Sequence, residues 1–131
     1  MKRIAIVDDD VAFAEETRTF LSMSGYEVLV VNDSRIAPLI LRLARPDLIA
    51  LDLRMDGVDG FRLREILQGY PETADIPVVA ISGYPDFAVR DMWGMDDFLK
   101  KPFKPSALIR CVERLLEDPK KEACRGEKSR N

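Results

Sequence analysis

Four short runs, Ile4–Val7, Glu27–Val31, Leu48–Leu51 and Val78–Ile81, consist almost wholly of Ile, Val, Leu and Ala with little polar alternation. A strand with one wet face alternates apolar and polar residues. A run without alternation suits a strand covered on both faces, the condition of a parallel sheet between helix layers. Asp97–Leu99 reads as a shorter fifth strand. Between these runs the apolar period becomes helical. From Val11 to Ser24, the residues Phe13, Thr17, Phe20 and Leu21 share one face, and Gly25 is a good stop. Ser34 is predicted to cap a second helix whose apolar side is Ile36, Leu39, Ile40 and Leu43, closed by Pro46. Phe61, Leu63, Ile66 and Leu67 mark a third helix ending near Gly69. Phe87, Val89 and Met92 suggest a short fourth, and Leu108, Cys111, Val112, Leu115 and Leu116 a fifth. Strand and helix thus alternate five times, the pattern of an open doubly wound α/β fold.

The 131 residues suit one domain with a real core. Residues 118–131 are charged, have no apolar face and read as a disordered tail after a domain spanning 1–117. The net charge of −3 supplies no basic excess for phosphates, which argues against nucleic acid as a partner. No apolar run approaches the length of a membrane span, and the Met-Lys-Arg start leads into no signal peptide. Cys111 and Cys124 have neither metal nor redox spacing, and read as free thiols in a cytoplasmic protein. Histidine is absent, which removes imidazole acid–base chemistry, imidazole metal ligands and a phosphohistidine carrier.

The first strand, Ile4-Ala5-Ile6-Val7, runs directly into Asp8-Asp9-Asp10. In an open α/β sheet ligands bind beyond the C-terminal strand ends. Asp52 follows the third strand, Ser82 the fourth, and Lys101 follows the fifth after Lys100. Three carboxylates at one sheet edge suit a hard divalent cation such as Mg²⁺. Lys101 adds a positive charge and Ser82 a hydroxyl donor. Asp10 reads as the N-cap of the helix that begins at Val11.

Four motifs, Val7-Asp8-Asp9-Asp10, Leu51-Asp52-Leu53-Arg54-Met55-Asp56-Gly57-Val58-Asp59-Gly60, Ile81-Ser82-Gly83 and Phe98-Leu99-Lys100-Lys101-Pro102-Phe103, stand in order at matching spacings. In them the chain resembles the receiver domain of bacterial response regulators, from Lys2 to about Glu117. The resemblance implies a flavodoxin-like, doubly wound five-stranded parallel sheet of order 2-1-3-4-5 with five helices. It implies that Asp52 accepts a phosphoryl group from a histidine kinase or phosphotransfer protein. Asp8, Asp9, Asp52 and the main-chain carbonyl of Arg54 would hold Mg²⁺ (or Mn²⁺). Ser82 and Lys101 would bind phosphoryl oxygens, the Lys101–Pro102 bond would be cis, and Phe98 would be the aromatic switch. It also implies a phosphoacceptor rather than a turnover enzyme, an unnamed downstream protein partner, and a possible homodimer through the fourth helix, fifth strand and fifth helix. Arg54 and Tyr84 stand where the family tunes attack by water on the phosphorylated residue.

The family usually has Met-Pro where this chain has Met55-Asp56, which adds a carboxylate and is expected to loosen the loop after Asp52. Two other readings compete. One is a receiver-like interaction module that takes no phosphate. The other is an aspartate-nucleophile phosphatase, whose Asp-x-Asp pattern fails at Ala12 and again at Arg54.

Overall fold

In the computed structural model of the chain, which describes residues 1–83 and 94–117, five parallel strands pair in the order β2-β1-β3-β4-β5. The strands are β1 (Arg3–Val7), β2 (Glu27–Val31), β3 (Leu48–Asp52), β4 (Val78–Ser82) and β5 (Asp97–Lys100). Four helices lie among the described residues: α1 (Val11–Met23), α2 (Ala37–Ala44), α3 (Gly60–Gln68) and α4 (Pro105–Leu115). The last corresponds to the fifth helix of the sequence reading. The expected helix through Phe87, Val89 and Met92 lies outside the described residues, as do Tyr84, Trp93, Cys124 and the tail. Among the described residues no helix is long and apolar enough to cross a membrane.

Strand alternation builds two cores from one sheet. Ala5, Val7, Ile49 and Leu51 point to one face and pack with Leu41 of α2 and Leu63 and Leu67 of α3. Ile4, Ile6, Leu48, Ala50, Val79 and Ile81 point to the other and pack with Ala14 and Leu21 of α1 and Leu108 and Val112 of α4. Strands β3 and β4 are buried at every position, which is why neither shows polar alternation. Helix α1 starts on Asp10, whose carboxylate accepts from the Phe13 N–H at 3.0 Å. It stops before Gly25, whose φ of 96° an L side chain rarely adopts.

Helix α2 departs from the sequence reading in two respects. Ser34 does not cap it: the N-cap is Ile36, with no side-chain capping bond. The face turned inward is Ala37 and Leu41, whereas Ile36, Leu39 and Leu43 are 49%, 59% and 77% exposed. Ala37 and Leu41 are the residues that enter the core and Ile40 packs at its margin, which leaves the larger Ile36, Leu39 and Leu43 on the outer side.

Arg64, on which the sequence pattern is silent, is a charged side chain only 5% exposed on α3. Its Nε donates to the Gly94 carbonyl at 3.0 Å and its Nη1 to the Ile76 carbonyl at 3.3 Å. Nη2 lies 3.9 Å from Asp96, whose carboxylate accepts from the Val78 N–H at 2.8 Å. One guanidinium thus ties α3 to the entries of β4 and β5. Arg64→Leu should leave two carbonyls and one carboxylate short of donors and lower stability by about 2 kcal/mol. Urea unfolding checks this, and an unchanged midpoint would show that water replaces the guanidinium freely.

Candidate functional site

Register brings the functional side chains together before any side-chain bond forms. Val7 lies level with Leu51, so the next residue of each strand path, Asp8 and Asp52, falls side by side. Asp52 pairs with Ile81 and Ser82 with Lys100, so Ser82 and Lys101 lie one step further along the same edge. Asp52 and Ser82 are the last residues of their strands rather than the first beyond them. The Leu53 N–H donates to the Ile81 carbonyl at 2.9 Å and the Lys101 N–H to the Ser82 carbonyl at 2.8 Å, which extends the ladder past the strand ends.

One carboxylate oxygen from each of Asp8, Asp9 and Asp52 lies within 4.8 Å of the others. Asp8 and Asp52 are 1% and 6% exposed, while Asp9 faces solvent. Asp8 is fixed at three points. Its N–H donates to the Val31 carbonyl at 3.0 Å, its carboxylate accepts from the Asp10 N–H at 2.9 Å, and its carbonyl accepts from the Asn32 side chain at 2.9 Å. Lys101 Nζ lies 3.4 Å from Asp8 Oδ2 and 4.0 Å above the centre of the Phe13 ring. Phe13 in turn meets Phe103 edge-on at 5.9 Å, so the ring under the Lys101 ammonium is itself braced by a second aromatic. The Lys101–Pro102 peptide is cis.

Two like charges this close resist joint ionisation. Burial, and then the negative charge of Asp8, push the Asp52 carboxyl up to about 7. The charge of Lys101 and the Arg54 N–H, 3.3 Å from Asp52 Oδ1, pull the other way without prevailing. The donor set is therefore all oxygen, strongly negative and short of countercharge. This fits a hard divalent cation, which prefers such oxygens and would relieve the repulsion.

The loop after Asp52 is held more firmly than the missing proline suggests. Because residue 56 is Asp, it carries an N–H, and that N–H donates to Asp9 Oδ2 at 3.0 Å. Ser34, 1% exposed, donates from its hydroxyl to the Asp56 carbonyl at 3.0 Å and accepts from the Val58 N–H at 2.9 Å. The residue read as a helix cap thus clasps the loop beside the site. Sequence reasoning missed Ser34 in this role, and also Asn32 and Phe13. The available signal was topological: with β2 beside β1, the loop after β2 must flank the end of β1. Ser82 is fully buried, and Phe98 is buried in the same apolar cluster as Ala80 and Met95. The sequence placed Asp8, Asp9, Asp52, Ser82 and Lys101 at one edge, and there they stand, with Phe98 on the adjoining strand and its ring inward.

Residues 4–113 match the family model described as the response regulator receiver domain. The probable transcriptional regulator ycf27 of Cyanophora paradoxa is 36% identical over 124 residues, covering 90% of this chain and 51% of the relative. The DNA-binding response regulator MtrA of Mycobacterium tuberculosis strain H37Rv is 32% identical over 115 residues, covering 88% and 50%. The chain spans about half the length of these curated relatives. Among solved structures, the signal receiver domain of a signal transduction histidine kinase from Syntrophus aciditrophicus superposes with a TM-score of 0.80 at 38% identity, covering 88% of this chain and 90% of that one. The receiver domain of the sensor histidine kinase PA1611 from Pseudomonas aeruginosa PAO1 superposes with a TM-score of 0.80 at 26% identity, covering 87% and 96%, and has a magnesium ion coordinated in its active site cleft.

Proposed function

The chain belongs to the response regulator receiver domain family of two-component systems, and from that membership we propose that it accepts a phosphoryl group on Asp52 and signals through altered partner binding. The donor is a phosphohistidine of a histidine kinase or phosphotransfer protein. The P–N bond breaks as an Asp52 oxygen bonds to phosphorus, and the departing imidazole nitrogen keeps the electron pair. Asp52 is the nucleophile because it is the carboxylate at the centre of the edge, between Asp8 and the Ser82 and Lys101 positions. Lys101 and Ser82 bind phosphoryl oxygens as charge spreads over them. Asp8, Asp9, Asp52 and the Arg54 carbonyl would hold a divalent cation of the Mg²⁺ or Mn²⁺ type, which would supply positive charge to the carboxylates and to the incoming phosphoryl oxygens. Asp8 stays oriented by the Asp10 N–H and Asp9 by the Asp56 N–H. Water later hydrolyses the acyl phosphate, with Arg54 at the position expected to restrict its approach. The protein is thus a phosphoacceptor and not a turnover enzyme.

The observation that carries this reading is the convergence of three carboxylates within 4.8 Å beside a lysine 3.4 Å from one of them. The receiver unit is assigned to 1–117 and the charged tail to 118–131, in a cytoplasmic setting. Output is assigned to β5, α4 and the expected helix through Phe87, Val89 and Met92, with Phe98 as the switch, as a docking or homodimer surface. Incubation with Mg²⁺ and acetyl phosphate should add one phosphoryl mass to the wild type and none to Asp52→Asn. A labelled Asp52→Asn protein would place the acceptor elsewhere.

A further inference from the structure

Of the three clustered carboxylates, Asp8 and Asp52 are buried and fixed by their surroundings, whereas Asp9 is exposed and needs hydrogen bonds to hold its orientation. The Asp56 N–H supplies one, 3.0 Å from Asp9 Oδ2. That donor sits on the loop after β3, so it is only as well placed as the loop. The grip on residue 56 comes from Ser34, on the far side of the neighbouring strands.

Ser34 is 1% exposed and stands in the turn between β2 and α2. The turn is closed on itself. The Asp33 carboxylate accepts from the Arg35 N–H at 3.0 Å, and the Asp33 carbonyl accepts from the Ile36 N–H at 3.3 Å. From this fixed point the Ser34 hydroxyl uses both of its capacities on one short stretch of chain. It donates to the Asp56 carbonyl and accepts from the Val58 N–H, on either side of Gly57. Gly57 leaves room for it: its φ is 86°, and a Cβ there would stand 3.1 Å from Ser34 Oγ. The same turn reaches the other acidic arm, because the Asn32 side chain donates to the Asp8 carbonyl at 2.9 Å.

On the reading of Asp8, Asp9 and Asp52 as a divalent-cation site, we infer that Ser34 is a positioning residue for that cation, acting through the Asp56 main chain on Asp9. Ser34 touches neither the acids nor the phosphoryl group. Its hydroxyl holds residue 56 by the carbonyl, and the N–H of that residue aims the exposed carboxylate at its two buried neighbours. Groups that orient a ligand in this way govern metal affinity although they make no bond to the metal.

The test titrates Mg²⁺ into the full ¹⁵N-labelled chain and follows the Asp9 and Asp56 amides, a readout that needs no phosphoryl transfer. Ser34→Ala should weaken Mg²⁺ binding by roughly tenfold, and Ser34→Thr, which keeps a hydroxyl, should restore most of the loss. A clasp that served stability alone would lower the melting temperature and leave the affinity of the folded protein unchanged. Asp56→Pro keeps the carbonyl that Ser34 holds and deletes the N–H that Asp9 receives. It should weaken Mg²⁺ binding more than Asp56→Asn, which keeps both. In the Asp56→Pro background Ser34→Ala should cause no further loss, because the link to Asp9 is already cut. Wild-type affinity in Ser34→Ala, the same loss in both backgrounds, or equal binding by Asp56→Pro and Asp56→Asn overturns the inference. If Ser34→Ala does not fold, the comparison of the two Asp56 variants decides. A wild type whose amides ignore Mg²⁺ overturns the cation reading of the acidic cluster itself, and the role of Ser34 with it.

Discussion

Gly60→Ala will destabilise the chain by about 3 kcal/mol, because a methyl group there has nowhere to go. A Cβ at Gly60 would lie 2.6 Å from the Asp52 carbonyl oxygen, 2.6 Å from Leu53 Cα and 2.9 Å from Leu53 Cδ2. Two of these three atoms are backbone, so no change of rotamer relieves the contact. The start of α3 must instead lift from the end of β3. That movement strains the bond from the Gly60 N–H to the Leu53 carbonyl, 3.1 Å long, and the Asp59 cap on the Arg62 N–H. Since Asp52 ends β3, phosphorylation by acetyl phosphate should fall together with stability. Gly69→Ala is the control: its Cβ would meet only the Ile66 carbonyl at 3.3 Å, and it should change stability by well under about 1 kcal/mol. Urea midpoints of the two variants decide the matter. Equal stabilities would show that α3 is free to shift on the strand end.

The same close approach explains what could and could not be read from sequence. Strand ends were legible because a parallel register forces them to one edge: Asp8, Asp52, Ser82 and Lys101 needed only the strand order. The inward face of α2 was not legible. Residues 37–44 are apolar on nearly every side, so periodicity finds a helix but cannot say that Ala37 and Leu41 face in while Leu39 and Leu43 face out. The burial of Arg64 was not legible either. A guanidinium is normally outside, and only the carbonyls of Gly94 and Ile76, distant in sequence, make its burial tolerable. The Asp56–Asp9 bond was invisible because it uses a backbone N–H that nearly every residue owns. Asp56 there differs from proline chiefly in what proline lacks.

In the absence of divalent cations, Asp52→Asn should raise the melting temperature at pH 8 by roughly 5–10 °C, and the gain should vanish toward pH 4. Asp52 titrates near 3.8 when unfolded, and in the fold burial and Asp8 raise it to about 7. A group raised on folding binds its proton more tightly in the native state. Its contribution is complete below the unfolded value and is lost as pH climbs through the folded one, so wild-type stability should fall between about pH 4 and 7. The whole shift corresponds to about 4 kcal/mol. Solvent beside the exposed Asp9 screens part of it, and a net effect on the order of 2 kcal/mol is expected. Asn keeps the shape and cannot ionise, so its variant lacks this slope. Other carboxylates bend the absolute curve: Asp97, although burial tends to raise it, is held low by hydrogen bonds from Cys111, the Phe98 N–H and Arg114 and by the charge of Arg114, so its contribution runs the other way. The difference between wild type and variant cancels that background. Adding Mg²⁺ at pH 8 should stabilise the wild type by mass action and the variant much less, which narrows the gap. Melts in EDTA from pH 4.5 to 8 measure both curves. Parallel curves, with no gap opening at high pH, would mean that Asp8 and Asp52 do not repel each other in the folded chain, and the case for a cation at that edge would lose its electrostatic basis.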